Sequence, residues 1–309
     1  RNGVTYATEL VAPELLGLDK SSEGGENNAK LNGIGVYVHE ISHMLGLPDF
    51  YDIDYEAPGM DYWSLMDYGE YFYNGYRPTP YTAYERHFMG WTSLVELSEP
   101  TYIEDMKALG DEGSAYIVYN DANRNEYYIL ENRTVNDPWS RNLCTSLGSG
   151  MMIYHVDYDA QAWSSNKINT NTSRQRMTII PANGTLIGSN NATSKEAWQT
   201  SLQGNPYPGI TGNSELTNDS YPASLVYTGN YMNKPLVDIE ETLDGIVVVK
   251  AMPFGTLDKP TDLSFEDTKP GSTTAIWGPV SNATLYNLQL WCEGELVLQK
   301  DSIAGTSFR

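Results

Sequence analysis

The pattern of apolar and polar positions divides the chain into a motif-bearing region followed by a long series of strands. Residues 1–95 combine helix and turn signals, including a helix predicted at Tyr81–Met89. From residue 96 to residue 255, short runs rich in β-branched and aromatic residues alternate with Asn, Gly and Asp clusters, as is typical of strands. The clearest predicted strands are Ala115–Tyr119, Tyr127–Glu131, Met151–Val156 and Gly245–Lys250. Residues 183–230, rich in Ser, Asn, Gly and Thr, predict long loops.

A helical period of apolar residues runs from residue 31 to residue 45. On a helix, an arc of roughly 80° contains five apolar side chains: Leu31, Ile34, Val38, Ile41 and Leu45. His39 and His43 lie one turn apart on the opposite side. The pattern therefore predicts a helix that buries its apolar face in a core and presents two imidazoles to a cleft.

The spacing of polar residues on this helix predicts a catalytic zinc site. Two imidazoles one turn apart can bind a single Zn²⁺, and Glu40 beside them can accept a proton from zinc-bound water. Catalytic zinc usually has three protein ligands. A helix that ends at Gly46 allows the chain to reverse and bring Asp49 beneath the metal. The sequence thus predicts His39, His43 and Asp49 as the metal ligands and Glu40 as the general base.

Acidic residues that follow Asp49 leave two questions open. Asp52, Asp54 or a residue from elsewhere could supply the third zinc ligand in place of Asp49. Together with Glu56 and Asp61, they could also bind a structural Ca²⁺ through oxygen, or form a solvated acidic loop. The remaining histidines, His87 and His155, are predicted to be structural.

Residues 64–68, Ser-Leu-Met-Asp-Tyr, resemble the methionine turn of metzincin peptidases. In that group the methionine underlies the zinc ligands, which assigns this position to Met66. In astacin-like members a tyrosine two residues later approaches the zinc, so the resemblance gives Tyr68 as a catalytic hydrogen-bond donor to the developing oxyanion.

Several motifs together resemble the immune inhibitor A family of secreted bacterial zinc metallopeptidases. They are HEISHMLGLPDFYD (39–52), WSLMDYGEY (63–71), RPTPYTAYERHFMGW (77–91), EYYILENR (126–133) and GSGMMIYHVD (148–157). The resemblance implies a zincin-like catalytic domain, one catalytic zinc, structural calcium, and secretion as a pro-enzyme whose pro-segment is a partner. Only 38 residues precede His39, so the N-terminal sheet that forms the upper wall of the cleft in this family is expected to be absent, incomplete or supplied by another fragment.

The C-terminal region resembles the first strands of a fibronectin type III module. The segment KPTDLSFEDTKPGSTTAIWGPVSNATLYNLQLW (259–291) carries the resemblance. The predicted fold class is therefore α+β, with a zincin-like region at 1–95, a β-rich domain at 96–255 and a partial fibronectin type III-like module at 256–309.

Composition narrows the classes of partner. A net charge of −21 opposes binding to the phosphate backbone of nucleic acids, and no apolar run is long enough to span a membrane. Two cysteines do not form a disulfide framework. The sequence predicts a secreted or cell-surface bacterial zinc endopeptidase that cleaves extracellular proteins by Glu-assisted attack of zinc-bound water. The alternatives are a non-catalytic zincin-shaped binding or adhesion module and a peptidase directed at glycoproteins.

Overall fold

A computed structural model describes residues 15–16, 30–188, 191–252, 260–280, 283, 285–292 and 294–309. The chain forms two compact units, Arg1–Pro253 and Phe254–Arg309. Both helices and strands are present, which confirms the α+β class. The predicted boundary at residue 255 falls within residues 253–259, outside the described residues. The division at residue 95 stays a prediction.

The described residues of the first unit include ten strands and five α-helices. The strands β1 to β10 are Leu15–Leu16, Lys30–Leu31, Leu94–Glu96, Thr101–Met106, Ala115–Asn120, Asn123–Arg133, Gly150–Asp157, Met177–Ile179, Leu236–Glu241 and Val247–Ala251. The helices α1 to α5 are Ile34–Met44, Ala83–Phe88, Arg141–Leu147, Ala160–Ser164 and Lys195–Gln203. All four strands named from the sequence are confirmed, as is the helix predicted at Tyr81–Met89.

A five-stranded sheet with the order β3-β5-β6-β7-β8 lies at the centre of this unit. Strand β3 runs parallel to β5, and the other neighbours are antiparallel. Every residue of β7 is buried, and its side chains alternate between two hydrophobic cores. Met152 and Tyr154 contribute to the first core, whereas Met151 and Ile153 contribute to the second. The sheet is therefore covered on both faces, as the period of two in a strand requires.

Each core joins the sheet to a different part of the chain. The first core includes Leu47, Phe50, Trp63 and Met66 from the motif-bearing region. The second core includes residues of a three-stranded antiparallel sheet with the order β4-β10-β9. The motif-bearing region thus packs on one face of the central sheet, and the second sheet packs on the other.

Helix α1 ends in a glycine-dependent reversal. Gly46 has φ 101°, in the left-handed region that favours glycine. Its N–H donates to the carbonyl of His43, and the N–H of Leu47 donates to the carbonyl of Ser42, so the helix ends in a Schellman motif. This confirms the predicted end of the helix and turns the chain back beneath it.

The predicted burial of the apolar face of α1 is wrong. Leu31, Ile34, Ile41 and Leu45 are 65%, 59%, 44% and 54% exposed. The buried positions of the helix are Gly35, Val36, His39 and Ser42. Gly35 allows this packing, because a Cβ at that position would overlap the carbonyl oxygen of Glu70. The face that carries the imidazoles therefore points into the protein, and the apolar stripe points outward.

The predicted loops at residues 183–230 contain a helix that was not expected. The hydroxyl of Ser194 accepts a hydrogen bond from the N–H of Ala197 and caps the start of α5. Leu202 belongs to the first core, and Trp198 packs against it. Burial of these two side chains stabilises a helix within a polar segment. The polar composition of the segment therefore did not reveal the helix.

The second unit consists of antiparallel strands. Strands β11 to β15 are Ser264–Lys269, Ser272–Ile276, Tyr286–Cys292, Glu295–Ile303 and Ser307–Phe308. They form one sheet with the order β11-β12-β15 and a two-stranded sheet of β13 and β14. In the described part of the chain, none of the helices has the length and apolar character that crossing a membrane requires.

Candidate metal centre

Three side chains of the kind that bind metals converge where α1 ends. Nε2 of His39 lies 3.0 Å from Oδ1 of Asp49, and Nε2 of His43 lies 3.2 Å from the same oxygen. One potential ligand atom from each residue can be chosen so that all three lie within 4.8 Å of one another. The reversal at Gly46 produces this arrangement, because it brings Asp49 back beneath the helix. The structure therefore brings together the three residues that the sequence predicts as ligands.

Backbone carbonyls determine which ring nitrogen of each histidine faces Asp49. Nδ1 of His39 lies 2.9 Å from the carbonyl oxygen of Leu65, and Nδ1 of His43 lies 2.7 Å from that of Leu47. Because a carbonyl oxygen can only accept, each Nδ1 carries the proton that it donates. Each neutral imidazole then has its lone pair on Nε2, the nitrogen nearest Asp49.

Oδ1 of Asp49 is a buried oxygen that accepts no hydrogen bond. It faces Nε2 of His39 and Nε2 of His43, so either a proton on a histidine or a metal ion must lie between the carboxylate and the imidazoles. Burial raises the pKa of Asp49, but the two histidines and Asn166 beside its carboxylate outweigh burial and hold that pKa well below its ordinary value. A set of two imidazoles and one carboxylate is a usual donor set for zinc, so these residues fit the metal.

Two further carboxylates lie at the centre. Oε2 of Glu70, also without a hydrogen bond, lies 3.8 Å from Nδ1 of His39. Burial and the neighbouring charges of Glu40 and Asp49 raise the pKa of Glu70, against the opposing effects of His39 and Tyr71. Glu40, the predicted general base, is half-buried. The site therefore combines a metal-binding group with a partly accessible carboxylate that can accept a proton.

Tyrosine hydroxyls lie beside both acidic groups. Burial and the charge of Asp49 raise the pKa of Tyr51, and a hydrogen bond to Asp49 contributes to the same shift. Burial and the charge of Glu70 raise the pKa of Tyr71, which is also hydrogen-bonded to Glu70. No feature of the sequence had distinguished Tyr51 or Tyr71 from the other 21 tyrosines of the 23 in the chain.

Tyr68, the predicted catalytic donor, lies in an aromatic cluster. Its ring centroid is 6.2 Å from that of Tyr62, 5.9 Å from that of Tyr71 and 6.0 Å from that of Trp198. Its backbone N–H donates to the carboxylate of Asp67. These contacts fix the ring next to Tyr71, while its role as a hydrogen-bond donor to substrate stays a prediction.

The backbone of the methionine turn contacts both segments that carry the candidate ligands. The carbonyl of Leu65 accepts from His39, and the carbonyl of Met66 accepts from the N–H of Phe50 at 2.7 Å, next to Asp49. The side chain of Met66 is fully buried in the first core. These carbonyls therefore hold His39 and the segment of Asp49 in position, while the role of Met66 beneath the metal stays a prediction.

Asn166 holds Asp49 from a distant part of the chain. Its side-chain oxygen accepts from the N–H of Asp49 at 2.7 Å, and its Nδ2 donates to Oδ2 of Asp49 at 2.6 Å. Oδ1 stays directed at the histidines. Sequence reasoning missed Asn166, because a single asparagine far from the motif carries no local signal.

The acidic residues after Asp49 form a closed loop. The carboxylate of Asp52 accepts three backbone hydrogen bonds, from Asp54, Glu56 and Ala57. In the part of the chain that the structure describes, the group of His39, His43 and Asp49 is the one cluster that could hold a metal ion. The structure thus favours Asp49 over Asp52 and Asp54 as the third ligand, and it gives no support to a calcium site.

The other two histidines lie outside this group. His87 is exposed, and its Nδ1 lies 3.2 Å from the carbonyl oxygen of Thr92. His155 is buried, with its Nε2 2.9 Å from Oε1 of Glu126. The prediction that these residues are structural agrees with their contacts.

Two histidines one turn apart and an aspartate from the reversal beyond their helix form a candidate metal centre of the kind that metallopeptidases use. Comparison with known proteins gives the family. Residues 27–92 match the model of the family described as immune inhibitor A peptidase M6, catalytic domain, and this segment contains the whole candidate ligand set. The resemblance read from the sequence is confirmed over this segment, because residues 27–92 match the immune inhibitor A peptidase family.

Curated relatives support the same assignment over a similar length. A stretch of 59 residues is 39% identical to the pre-pro-metalloprotease PrtV of Vibrio cholerae serotype O1, strain M66-2. The same identity holds for the protein of strain ATCC 39315 / El Tor Inaba N16961. The match covers 18% of this chain but only 6% of each relative. No solved structure gives a significant match to the chain.

Proposed function

We propose that this chain carries the catalytic centre of a zinc-dependent endopeptidase that cleaves extracellular proteins. The observation that carries the proposal is the convergence of Nε2 of His39, Nε2 of His43 and Oδ1 of Asp49, with Glu40 beside them. These three residues would hold the zinc. When bound, zinc supplies Lewis acidity, which lowers the pKa of water and polarises a peptide carbonyl.

The residues of the chain supply the remaining chemistry. Glu40 accepts the proton of the attacking water and returns it to the leaving amine as the peptide bond breaks. Leu65 and Leu47 keep the two imidazoles in the tautomer that directs Nε2 toward the metal position. Tyr68 donates a hydrogen bond to the oxyanion that develops on the substrate.

Several wider properties form part of the same proposal. The catalytic region is zincin-like, the C-terminal unit is fibronectin type III-like, and the protein is secreted or displayed at a bacterial cell surface. The net charge of −21 supports an extracellular protein. The Vibrio relative is named as a pre-pro-metalloprotease, a precursor form, which supports maturation from a pro-form here.

Zinc content and proteolysis of an unfolded protein test the proposal. We expect one zinc per chain in the wild type and in Glu40→Gln, but hydrolysis by the wild type alone. His43→Ala should lose both zinc and hydrolysis, because it removes a ligand. Zinc binding without cleavage by the wild type would instead support a zincin-shaped binding or adhesion module. A wild type that binds no zinc would refute both functions.

A further inference from the structure

Glu85 is a fully buried carboxylate of α2 that the proposed chemistry does not use. It is 0% exposed, and both of its oxygens accept hydrogen bonds from neutral donors. Burial raises the pKa of Glu85, while hydrogen bonds from Ser64 and Thr82 oppose that shift. A carboxyl group in such a place is costly unless it is hydrogen-bonded, and its hydrogen bonds make the segments around it more rigid.

The two oxygens of Glu85 contact different parts of the chain. Oε2 accepts from the N–H of Thr82, whose hydroxyl accepts in turn from the N–H of Glu85, so the pair forms a capping box at the start of α2. Oε1 accepts from the hydroxyl of Ser64 at 2.6 Å and from the N–H of Met66 at 3.3 Å. One oxygen therefore caps the helix, and the other binds the methionine turn.

The turn transmits this contact to the metal centre. Ser64 and Met66 are joined by a hydrogen bond of 3.0 Å from the N–H of Met66 to the hydroxyl of Ser64. Between them lies Leu65, whose carbonyl accepts from Nδ1 of His39. The carbonyl of Met66 accepts from Phe50, the residue after Asp49. The position of the turn thus sets the orientation of His39, and it also fixes the backbone next to Asp49.

We propose that Glu85 is a positioning residue of the metal centre, which holds the Ser64–Met66 turn so that its carbonyl oxygens orient His39 and the segment of Asp49. This inference rests on the proposed function, because it concerns the site at which zinc would bind. Glu85 touches neither metal nor substrate. It acts through the turn: Glu85 accepts from Ser64, and the carbonyl of the next residue, Leu65, accepts from the imidazole of His39.

A carboxylate is well suited to this position, and an amide is not. Oε1 and Oε2 both accept, so Glu85 can serve the turn and the helix cap at once. Glutamine has one accepting oxygen and one donating NH₂ group, so Glu85→Gln leaves either the turn or the cap facing a donor. A buried donor left without an acceptor is costly, and the turn would shift to relieve it.

Zinc affinity of the 309-residue chain, measured by competition with a chromophoric chelator, tests the inference. Replacement of groups that orient metal ligands weakens metal binding by about ten- to a hundredfold. We expect this loss for Ser64→Ala and for Glu85→Gln, with a change in the visible absorption of the Co²⁺-substituted protein. Thr82→Ala is the matched control, since it weakens the cap but keeps both contacts of Oε1, and it should bind zinc as the wild type does.

The double variant Ser64→Ala/Glu85→Gln sharpens the test. Both changes break the same contact, so their effects should not add. The zinc affinity of the double variant should lie within about threefold of that of the single variant with the lower affinity. Ser64→Ala decides the question if Glu85→Gln does not fold. Wild-type zinc affinity in a folded Ser64→Ala, or an equal loss in Thr82→Ala, overturns the inference while the proposed function stands. A wild type without zinc affinity overturns both.

Discussion

Asn166 binds both the backbone N–H and the carboxylate of Asp49, although the two residues are 117 positions apart. These hydrogen bonds fix the carboxylate in the plane that leaves Oδ1 directed at His39 and His43. Asn166 itself has φ 54°, in the left-handed region that asparagine tolerates better than most residues. An uncommon backbone conformation is thus combined with a contact to a candidate metal ligand, which indicates that Asn166 orients the ligand.

Substitution of Asn166 by glycine measures how much its side chain contributes to zinc affinity. Asn166→Gly removes the side chain but keeps the left-handed backbone without strain, so we expect a folded protein whose zinc affinity is lower by about ten- to a hundredfold. Chelator competition measures the affinity. Asn171→Gly is a control, because the side chain of Asn171 accepts only from the nearby Ser173 and is exposed. Equal zinc affinities in Asn166→Gly and Asn171→Gly contradict the role of Asn166.

Zinc binding should release protons at neutral pH. Burial lowers the pKa of His39, but the nearby carboxylates of Asp49 and Glu70 outweigh burial and raise it to about 9. In the metal-free protein His39 is therefore protonated at pH 7, and zinc must displace that proton. We expect apparent zinc affinity to rise by about tenfold per pH unit for each proton displaced, until the pH reaches the pKa of His39.

Calorimetric titration with zinc in buffers of different ionisation enthalpy counts these protons. Glu70→Gln is the matched variant, since it removes a charge that raises the pKa of His39 without removing a candidate ligand. It should release fewer protons at pH 7 than the wild type. Proton release that is zero in both proteins is inconsistent with the raised pKa.

Tyr68→Phe tests the donor role that the family resemblance gives to Tyr68. Loss of one hydrogen-bond donor to an oxyanion lowers kcat by about a hundredfold, and we expect KM to change little because the contact forms only in the transition state. Tyr55→Phe is a control, because Tyr55 is 65% exposed and its ring stacks on Tyr51. A wild-type kcat in Tyr68→Phe shows that another group stabilises the oxyanion.

The pair of Glu126 and His155 should make the protein sensitive to acid. Burial raises the pKa of Glu126, but hydrogen bonds from His155 and from the backbone N–H groups of Tyr227 and Thr228 outweigh burial and lower it. A carboxylate whose pKa is lower in the folded state contributes stability above its unfolded pKa. That stability is lost as the pH falls from the ordinary value of 4.5 through the folded pKa.

Thermal unfolding of zinc-free protein at several pH values measures this effect. Glu126→Gln should be less stable than the wild type by about 3 kcal/mol at pH 7, and the difference should shrink below pH 4.5. Glu96→Gln breaks an exposed ion pair with Arg124 and should cost less than about 1 kcal/mol. A difference between wild type and Glu126→Gln that does not depend on pH would contradict the lowered pKa.

The parts of the site that sequence could predict are local ones. His39, Glu40, His43, Gly46 and Asp49 lie within eleven residues, so helical period and a glycine reversal are enough to place them together. The central parts of β6 and β7 could equally be predicted, because both strands are largely buried and carry apolar runs at residues 127–130 and 151–154.

Features that depend on tertiary contacts could not be predicted. The hydrogen bonds of Asn166 and Glu85 join segments distant in sequence, and neither residue belongs to a recognisable metal motif. Helix α1 shows the same limit, since its period located the apolar stripe correctly but not the direction in which it faces. Gly35 and Ser42, two small residues, allow the opposite face to pack closely. A hydrophobic pattern does not identify small residues as buried, so it could not predict which face of α1 packs inward.

The bend at Gly46 has a consequence for the order in which folding and metal capture occur. The Schellman motif and the two carbonyl–imidazole hydrogen bonds already hold the ligand atoms in place. The ligand atoms are therefore preorganised, and binding of the ion costs little additional conformational entropy of the chain. Small zinc modules, by contrast, become ordered only around their ion. Here the metal-free protein should already be folded and able to bind the ion.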